Sequence, residues 1–374
     1  MGRMQICAAL AAAGIAGALV AGPAAARELI YSSYAGPKHA VNELALPPWF
    51  KAVAEKTGGE VEWKLVTGGQ LLSGRDTVAG VGEGIADAGL VVPTYNPAAL
   101  PAIATIYSTL VFGDDVVATG GAALETLLLD CPACKSELKK NNAVAIAGYG
   151  ATPFKLMCRK PVATLADLKG KKVRVSGSGV PMMEMAGATP VAMNPAEGTP
   201  AMERGTIDCV LGSINWMDSY GYRDVVTAIL DVPMGMMGPV MTGYINRDTW
   251  DGLSREQKQA LLDGAPELDA RGTLDAYYGV DQEVLESLKG SDVKMYPGGK
   301  DFDAMLETFR AKLREITITD MKKLGLADPG AVIDAYEKNL EKWRKLSPEI
   351  GLDVDKFTAA LKREIYDKID VDDL

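Results

Sequence analysis

A single histidine, His39, stands in a chain of 374 residues. That scarcity removes most hydrolase schemes, which need a histidine as general base, and every metal site built from several imidazoles. Cysteine is sparse as well. Apart from Cys7 near the start there are only Cys131, Cys134, Cys158 and Cys209, and a zinc site at Cys131-Pro-Ala-Cys134 would want a second Cys/His pair at matching spacing. The chain has no nucleophile-elbow motif, no internal repeat and no low-complexity tract. After residue 26 the longest run free of charge, residues 88–113, is broken by Pro93, Pro97 and Pro101, so no later membrane-spanning helix is expected. Basic residues are in deficit, 39 Lys and Arg against 49 Asp and Glu, for a net charge of −10. Such a balance argues against nucleic acid or an anionic membrane as partner. A small anionic ligand stays open, because a closed cleft can be locally positive on an acidic protein. These absences point to a binding protein without metal or cofactor, not to an enzyme.

The N-terminus has the three parts of a secretory leader. Arg3 supplies a thin positive region, Ile6 to Val20 is an uncharged apolar run too short to span a bilayer, and Ala24-Ala25-Ala26 offers small residues for cleavage. Residues 1–26 are therefore expected to be a signal peptide, with a mature chain starting at Arg27 in the periplasm. Cys7 lies inside the apolar run without a Leu-Ala-Gly ahead of it, so it does not read as a lipidation site. The mature chain is longer than one hydrophobic core usually supports, and two lobes are the default.

Along the mature chain the hydrophobic period alternates between that of strands and that of helices. Glu28–Tyr34, Val61–Val66 and Ala86–Val92 read as strands, with helical patterns at about 40–57 and 76–84 between them. This order implies parallel strands with helices on both faces, and such sheets bind ligands beyond the strands' carboxyl ends. A second unit of the same kind comes next, with strands at 143–148, 172–175 and 207–211 and helices at 181–186 and 199–204. A long amphipathic helix is predicted from Ser254 to about Lys289. Further helices are predicted at 301–324, 331–346 and 354–368.

Several residues in this frame can carry chemistry. Arg174, on the strand Lys172–Val175, can bond a carboxylate through two parallel N–H donors, although an arginine at a strand end is by itself more often a solvated residue. Asn215 and Trp216 come after the strand 207–211 at the edge where ligands bind; Trp216 either floors an apolar pocket or packs between lobes. His39 lies just past the first strand, and a capping or surface role competes there with ligand contact. Met182, Met183, Met234, Met236 and Met237 suit core and hinge packing. The Cys-Pro-Ala-Cys motif comes after a Leu-rich helix with no redox context around it. Structural disulfides are the expectation for an oxidising compartment, and four cysteines leave three pairings open.

The stretch Leu165-Ala-Asp-Leu-Lys-Gly-Lys-Lys-Val-Arg-Val175 resembles the signature of the extracytoplasmic solute-binding proteins of TRAP (tripartite ATP-independent periplasmic) transporters. Thr57-Gly58-Gly59, Gly84-Ile-Ala-Asp-Ala-Gly89, Glu197 with Ala201–Asp208, and Asn246–Trp250 with Leu253–Glu256 fit the same pattern, so the resemblance covers roughly residues 28–325. It implies an α/β, two-lobed periplasmic binding protein fold with hinge strands and a long lobe-spanning helix. Lobe I is then expected from 27–151 plus 239–277, lobe II from 152–238 plus 278–330, and a C-terminal helical extension from 331–374. The extension is expected to pack on the back of a lobe, leaving the chain a monomer and not a dimer. The implied ligands are organic acids delivered to a four-helix and a twelve-helix membrane subunit, and Arg174 stands at the position that commonly pairs with the ligand carboxylate.

Departures from the pattern bear on the ligand. Phe154 stands where many dicarboxylate and sialic-acid binders carry a second arginine, Cys209 replaces a usual glycine, and Gly212 replaces a frequent asparagine. A buried second carboxylate would need its own cationic partner. The expected ligand is therefore an aromatic or apolar monocarboxylate, including 2-oxo and 2-hydroxy acids, with its apolar part near Phe154 and Trp216 and with Tyr34 or Tyr149 close by. A C4-dicarboxylate is the alternative within the same class. A ligand-sensing protein and a periplasmic thiol enzyme using Cys131 and Cys134 are the alternatives outside it.

Overall fold

The computed structural model describes residues 27–374; the predicted leader and its cleavage site lie outside them. In chain order the strands are β1 (Arg27–Ser32), β2 (Val61–Val66), β3 (Ala88–Val91), β4 (Ala143–Ala145) and β5 (Gly148–Tyr149). They continue with β6 (Lys155–Cys158), β7 (Lys172–Val175), β8 (Thr189–Ala192), β9 (Cys209–Gly212), β10 (Ala228–Leu230), β11 (Val240–Asn246) and β12 (Lys294–Tyr296). They form two sheets, one for each lobe. The first has the order β2-β1-β3-β11-β4, with β5 also on β11, and the second has the order β12-β10-β6-β9-β7-β8.

Local sequence explains the helix after β1. Leu46, Trp49 and Val53 share one face and are buried, prolines occupy its first turn, and Gly58 and Gly59 adopt positive φ values of 61° and 83° directly after it. Its first part, Val41–Ala45, is wound more widely, as a π-helix. Trp49 then donates its indole N–H to the Leu261 carbonyl, which docks this helix on the long one.

The expectation of parallel strands needs correction. Strand β1 is parallel to β2 and β3, but β11 is antiparallel to β3, β4 and β5, and β6 is antiparallel to β9 and β10. Both exceptions are strands the chain enters directly from the other sheet, without a helix to return it to the same edge. Strand β11 is buried along its whole length, so its residues carry no in–out alternation that would reveal its direction.

The two crossings between sheets run side by side. The N–H groups of Ala151 and Phe154 donate to the carbonyls of Met237 and Gly235, and the Met234 N–H donates back to the Phe154 carbonyl. This antiparallel pair is the hinge, and Met234, Met236 and Met237 are buried in it. The third link is the long helix. It starts at Arg255 on a Ser254–Gln257 capping box and runs to Arg271. Wide turns over Gly272–Gly279 then lead into Val280–Leu288. Two disulfides, Cys131–Cys134 and Cys158–Cys209, pair all four cysteines of the described residues. The second joins directly opposed positions of β6 and β9. All four sulfur-bearing residues are buried, which gives no exposed thiolate for exchange chemistry.

The C-terminal helices Lys300–Lys323, Pro329–Ile350 and Val354–Glu364 pack on this core. Trp343, fully buried, lies on Gly121 so closely that a Cβ there would sit 2.4 Å from its ring. Its indole N–H and the Lys342 ammonium both donate to the buried Glu125 carboxylate, at 2.7 and 2.8 Å. Among the described residues no single helix is long and apolar enough to cross a membrane.

The helix Pro329–Ile350 is thus built into the packing around Gly121 and Glu125. Trp343→Ala should lower the unfolding free energy by about 3–5 kcal/mol in denaturant titrations. A loss below about 1 kcal/mol would show that the segment is peripheral to stability.

Candidate functional site

Arg174 is the centre of the site. It lies on β7 between β8 and β9 with no exposed surface. Lys172, two residues earlier on the same strand face, is exposed instead, because it stands at the outer end of the strand. The Arg174 guanidinium donates from Nε to the Met193 carbonyl at 2.8 Å and from Nη2 to the Tyr95 hydroxyl at 3.2 Å. Its Cζ lies 5.2 Å from the centroid of the Trp216 ring, a cation–π contact. Nη1 is buried and has no hydrogen-bond partner among the described residues. Neither is there a side-chain carboxylate within ion-pair distance of Arg174 among them. A guanidinium keeps its proton under any ordinary condition, so this is a buried positive charge that the protein does not neutralise.

From Arg174 a chain of aromatic rings leads across to the first lobe. Trp216 meets Phe154 at 5.4 Å and Tyr220 at 5.6 Å between centroids. Tyr220 meets His39 at 5.3 Å, His39 meets Tyr277 at 6.2 Å, and Tyr277 meets Tyr149 at 4.7 Å with their hydroxyls 3.1 Å apart. Tyr34 packs edge-on against Tyr95 at 5.7 Å. Every residue singled out in the sequence, Arg174, Phe154, Asn215, Trp216, Tyr34, His39 and Tyr149, is buried, and the rings and Arg174 form this connected set.

The second lobe shapes its part of the site through short-range sterics. The Trp216 ring covers Gly212, where a Cβ would come within 2.1 Å of it. The glycine that departs from the familiar asparagine is what allows the indole to lie there. Asn215, at the start of the turn Trp216–Ser219, donates its backbone N–H to Asp281 at 2.6 Å. Asp281 belongs to the last part of the long helix, and burial raises its pKa to about 6. The helix that spans both lobes therefore holds the turn that carries Trp216.

His39 is neutral. Burial lowers its pKa to about 4, and the Val41 N–H donates to its Nδ1 at 3.4 Å. A neutral imidazole that accepts at Nδ1 carries its proton on Nε2, and this assignment rests on the hydrogen bond. Nε2 itself is buried with no partner among the described residues. Burial excludes a surface role, whereas the bond from the Val41 N–H at the start of the helix Val41–Ala45 is a capping contact made by Nδ1, which leaves Nε2 outside it.

Three further residues of the site were not expected there. Tyr95 comes after β3, at the strand end where α/β sheets bind ligands, so the carboxyl-end rule was signal enough. Tyr220 is four residues past Trp216, one helical turn away. Tyr277 had no local signal, since it is one aromatic residue in a long helix and enters the site only through that helix's path. Beside the site, between the lobes, is a hollow of about 540 Å³ lined by Arg75, Tyr95, Met193, Asn194, Thr317 and Met321 among others. It shares Tyr95 and Met193 with the surroundings of Arg174.

Comparisons with known proteins agree with one another. The family model described as bacterial extracellular solute-binding protein, family 7, matches residues 31–320. A protein named outer membrane transporter protein TsaT, from Comamonas testosteroni, is 24% identical over 337 residues, covering 87% of this chain and 94% of its own. Among solved structures, a marine metagenome TRAP solute-binding protein described as specific for aromatic acid ligands, in complex with metahydroxyphenylacetate, superposes with a TM-score of 0.75. It is 22% identical, with 84% of this chain and 99% of that one covered. A TRAP periplasmic solute-binding protein from Bordetella bronchiseptica, with bound (R)- and (S)-mandelate, gives 0.71 at 21% identity over 84% and 99%. At these identities the structures establish the two-lobed fold.

The state of His39 generates a stability test. The unfolded chain takes up a proton on this imidazole below pH 6.5, whereas the folded one does so only near 4, so acidification across that window favours unfolding. The loss reaches about 3 kcal/mol at its limit. Asp281, raised to about 6, acts in the opposite sense, so the difference between parent and variant isolates His39. His39→Gln should show a shallower loss of unfolding free energy than the parent from pH 7 to about pH 4. Parallel pH profiles would mean that His39 is solvated.

Proposed function

The chain belongs to the bacterial extracellular solute-binding protein family 7, the TRAP solute-binding proteins, and on that premise we propose that it captures an organic acid whose carboxylate bonds Arg174. The observation that carries this reading is the buried guanidinium, with Nη1 unpartnered and no carboxylate beside it among the described residues. A carboxylate arriving there meets two N–H donors in fixed geometry and supplies the missing negative charge.

The same observation favours a monocarboxylate with an aromatic or apolar body, 2-oxo and 2-hydroxy acids included. One buried positive charge balances one carboxylate. The adjoining surface is made of Trp216, Phe154, Tyr220, Tyr34 and Tyr149, which suits flat apolar groups through stacking and edge contacts. The structural neighbours described as binding aromatic acids and mandelate are consistent with that class. A C4-dicarboxylate has one observation in its favour, since Arg75 lines the hollow beyond Tyr95. Arg75 is solvent-exposed, though, and its guanidinium lies on the Ala192 carbonyl, so a second carboxylate there would gain little over water.

Family membership places the protein among extracytoplasmic receptors that hand a ligand to membrane components. In this reading residues 1–26 are the cleaved leader, and the mature chain works in the periplasm as a monomer. It delivers ligand to a small four-helix and a large twelve-helix subunit and performs no chemistry on it. Lobe I comprises 27–151 and 239–277, lobe II 152–238 and 278–330, with the extension 331–374 packed on lobe I.

Calorimetric titration with phenylacetate, mandelate, 2-oxo acids and succinate tests both levels. Arg174→Ala should weaken the best ligand at least about 100-fold, because it removes a desolvated charge pair. Arg174→Lys, which keeps the charge and loses the fork, should fall in between. Unchanged affinity in Arg174→Ala would remove the clamp, and tight succinate binding without any aromatic acid binding would replace the monocarboxylate by the dicarboxylate.

A further inference from the structure

The chain's only histidine is placed as a donor in the wall of this site, at the end away from Arg174. Its imidazole packs on Tyr220 and Tyr277, whereas the guanidinium packs on Trp216 and reaches Tyr95. Trp216 touches Tyr220, so two aromatic rings separate the imidazole from the guanidinium along the wall. A carboxylate seated on Arg174 is thus on the far side of Trp216 and Tyr220 from the imidazole, which leaves a substituent remote from the carboxylate as the group to meet it.

The tautomer sets what such a substituent must be. Nδ1 is occupied by the Val41 N–H, which leaves Nε2–H as the ring's one uncommitted polar group, with the rings of Tyr220 and Tyr277 packed beside it. A buried N–H with no acceptor opposes folding. Methyl or hydrogen at that place on a ligand leaves the cost standing, while an oxygen lone pair removes it. The same logic lets a site built around a donor reject the analogue that lacks the acceptor.

We propose that His39 is a specificity-determining residue whose Nε2–H bonds a hydroxyl or carbonyl oxygen at the end of the ligand remote from its carboxylate, which selects ring-oxygenated aromatic acids over their unsubstituted counterparts. This rests on the Arg174 reading and refines the ligand class. His39 is carried by the loop after β1 in the first sheet, and Arg174 by β7 in the second. An acid held at both ends is therefore bonded to both lobes, and one held only at its carboxylate is bonded to one.

The test is calorimetry on the full mature protein with phenylacetate, its ortho-, meta- and para-hydroxy derivatives, and the matching methyl derivatives. At least one hydroxy acid should bind the parent protein roughly tenfold more tightly than its methyl counterpart, about the worth of one buried hydrogen bond. In His39→Phe, which keeps the ring contacts, that ratio should collapse toward one. In His39→Gln, which keeps an N–H donor, part of it should return. Arg174→Ala should lose hydroxy and methyl acids alike. With a single histidine, ¹⁵N-histidine labelling reports on one imidazole: the free protein should show the Nε2–H tautomer, and Nε2 should shift with hydroxy acids and not with methyl acids. A hydroxy-to-methyl ratio that is the same in parent and His39→Phe overturns the assignment of His39 and leaves the clamp intact. Failure of every aromatic acid to bind the folded parent overturns the His39 assignment together with the aromatic monocarboxylate reading, while the clamp stands or falls on Arg174→Ala.

Discussion

A guanidinium taken fully out of water, with no carboxylate beside it among the described residues, is the constraint around which this protein is organised. Arg174 is held by the Met193 carbonyl, the Tyr95 hydroxyl and the face of Trp216, and none of these cancels its charge. An unneutralised buried charge opposes folding. It is tolerated here in a well-packed second sheet, with β7 inserted between β8 and β9 and with the β6–β9 pair covalently stapled by Cys158–Cys209. The stability of the surrounding lobe maintains a site whose charge is complemented only by something from outside.

The surroundings of Arg174 tie recognition to the relative position of the lobes. Tyr95 reaches it from the end of β3, in the first sheet. Phe154 is at once a hinge residue, with both its N–H and its carbonyl in the hinge ladder, and a wall of the site against Trp216. The turn carrying Trp216 is fixed from behind by Asp281, on the helix that runs across both lobes. A ligand that presses on Phe154 and Trp216 therefore acts on two of the three links between lobes. The Ser178 hydroxyl adds a direct bond across the cleft, to the Ser108 carbonyl at 2.5 Å.

Much of the fold was legible, and the strand directions that were not share a cause. The long helix, the three C-terminal helices and strands β1, β2, β3 and β7 show clean periodicity because each has one buried and one solvated side, or a turn signal at its end. Strands β4 to β6 and β9 to β11 are buried on both faces, so neither alternation nor direction is written in them. The mixed character of the sheets was lost for that reason. At the site, Phe154 and Gly212 were noticed as departures from a pattern. Their physical meaning, a hinge residue and a bare backbone under an indole, appeared only when Trp216 was placed.

Read alone, the chain already carries the family signature around Arg174, the two-lobed α/β plan, four cysteines after residue 26 available for disulfides and the scarcity of histidine. Each of these is local, carried by a short motif, a period or a count. Tertiary structure decided which cysteines pair, that Arg174 is buried without a counter-ion, that Tyr95, Tyr220 and Tyr277 complete an aromatic wall, and that His39 is neutral with Nε2 free. Those properties depend on what surrounds a group once distant segments meet. Charge compensation, desolvation and ring contact are set by distances in space, and separation along the chain does not encode them.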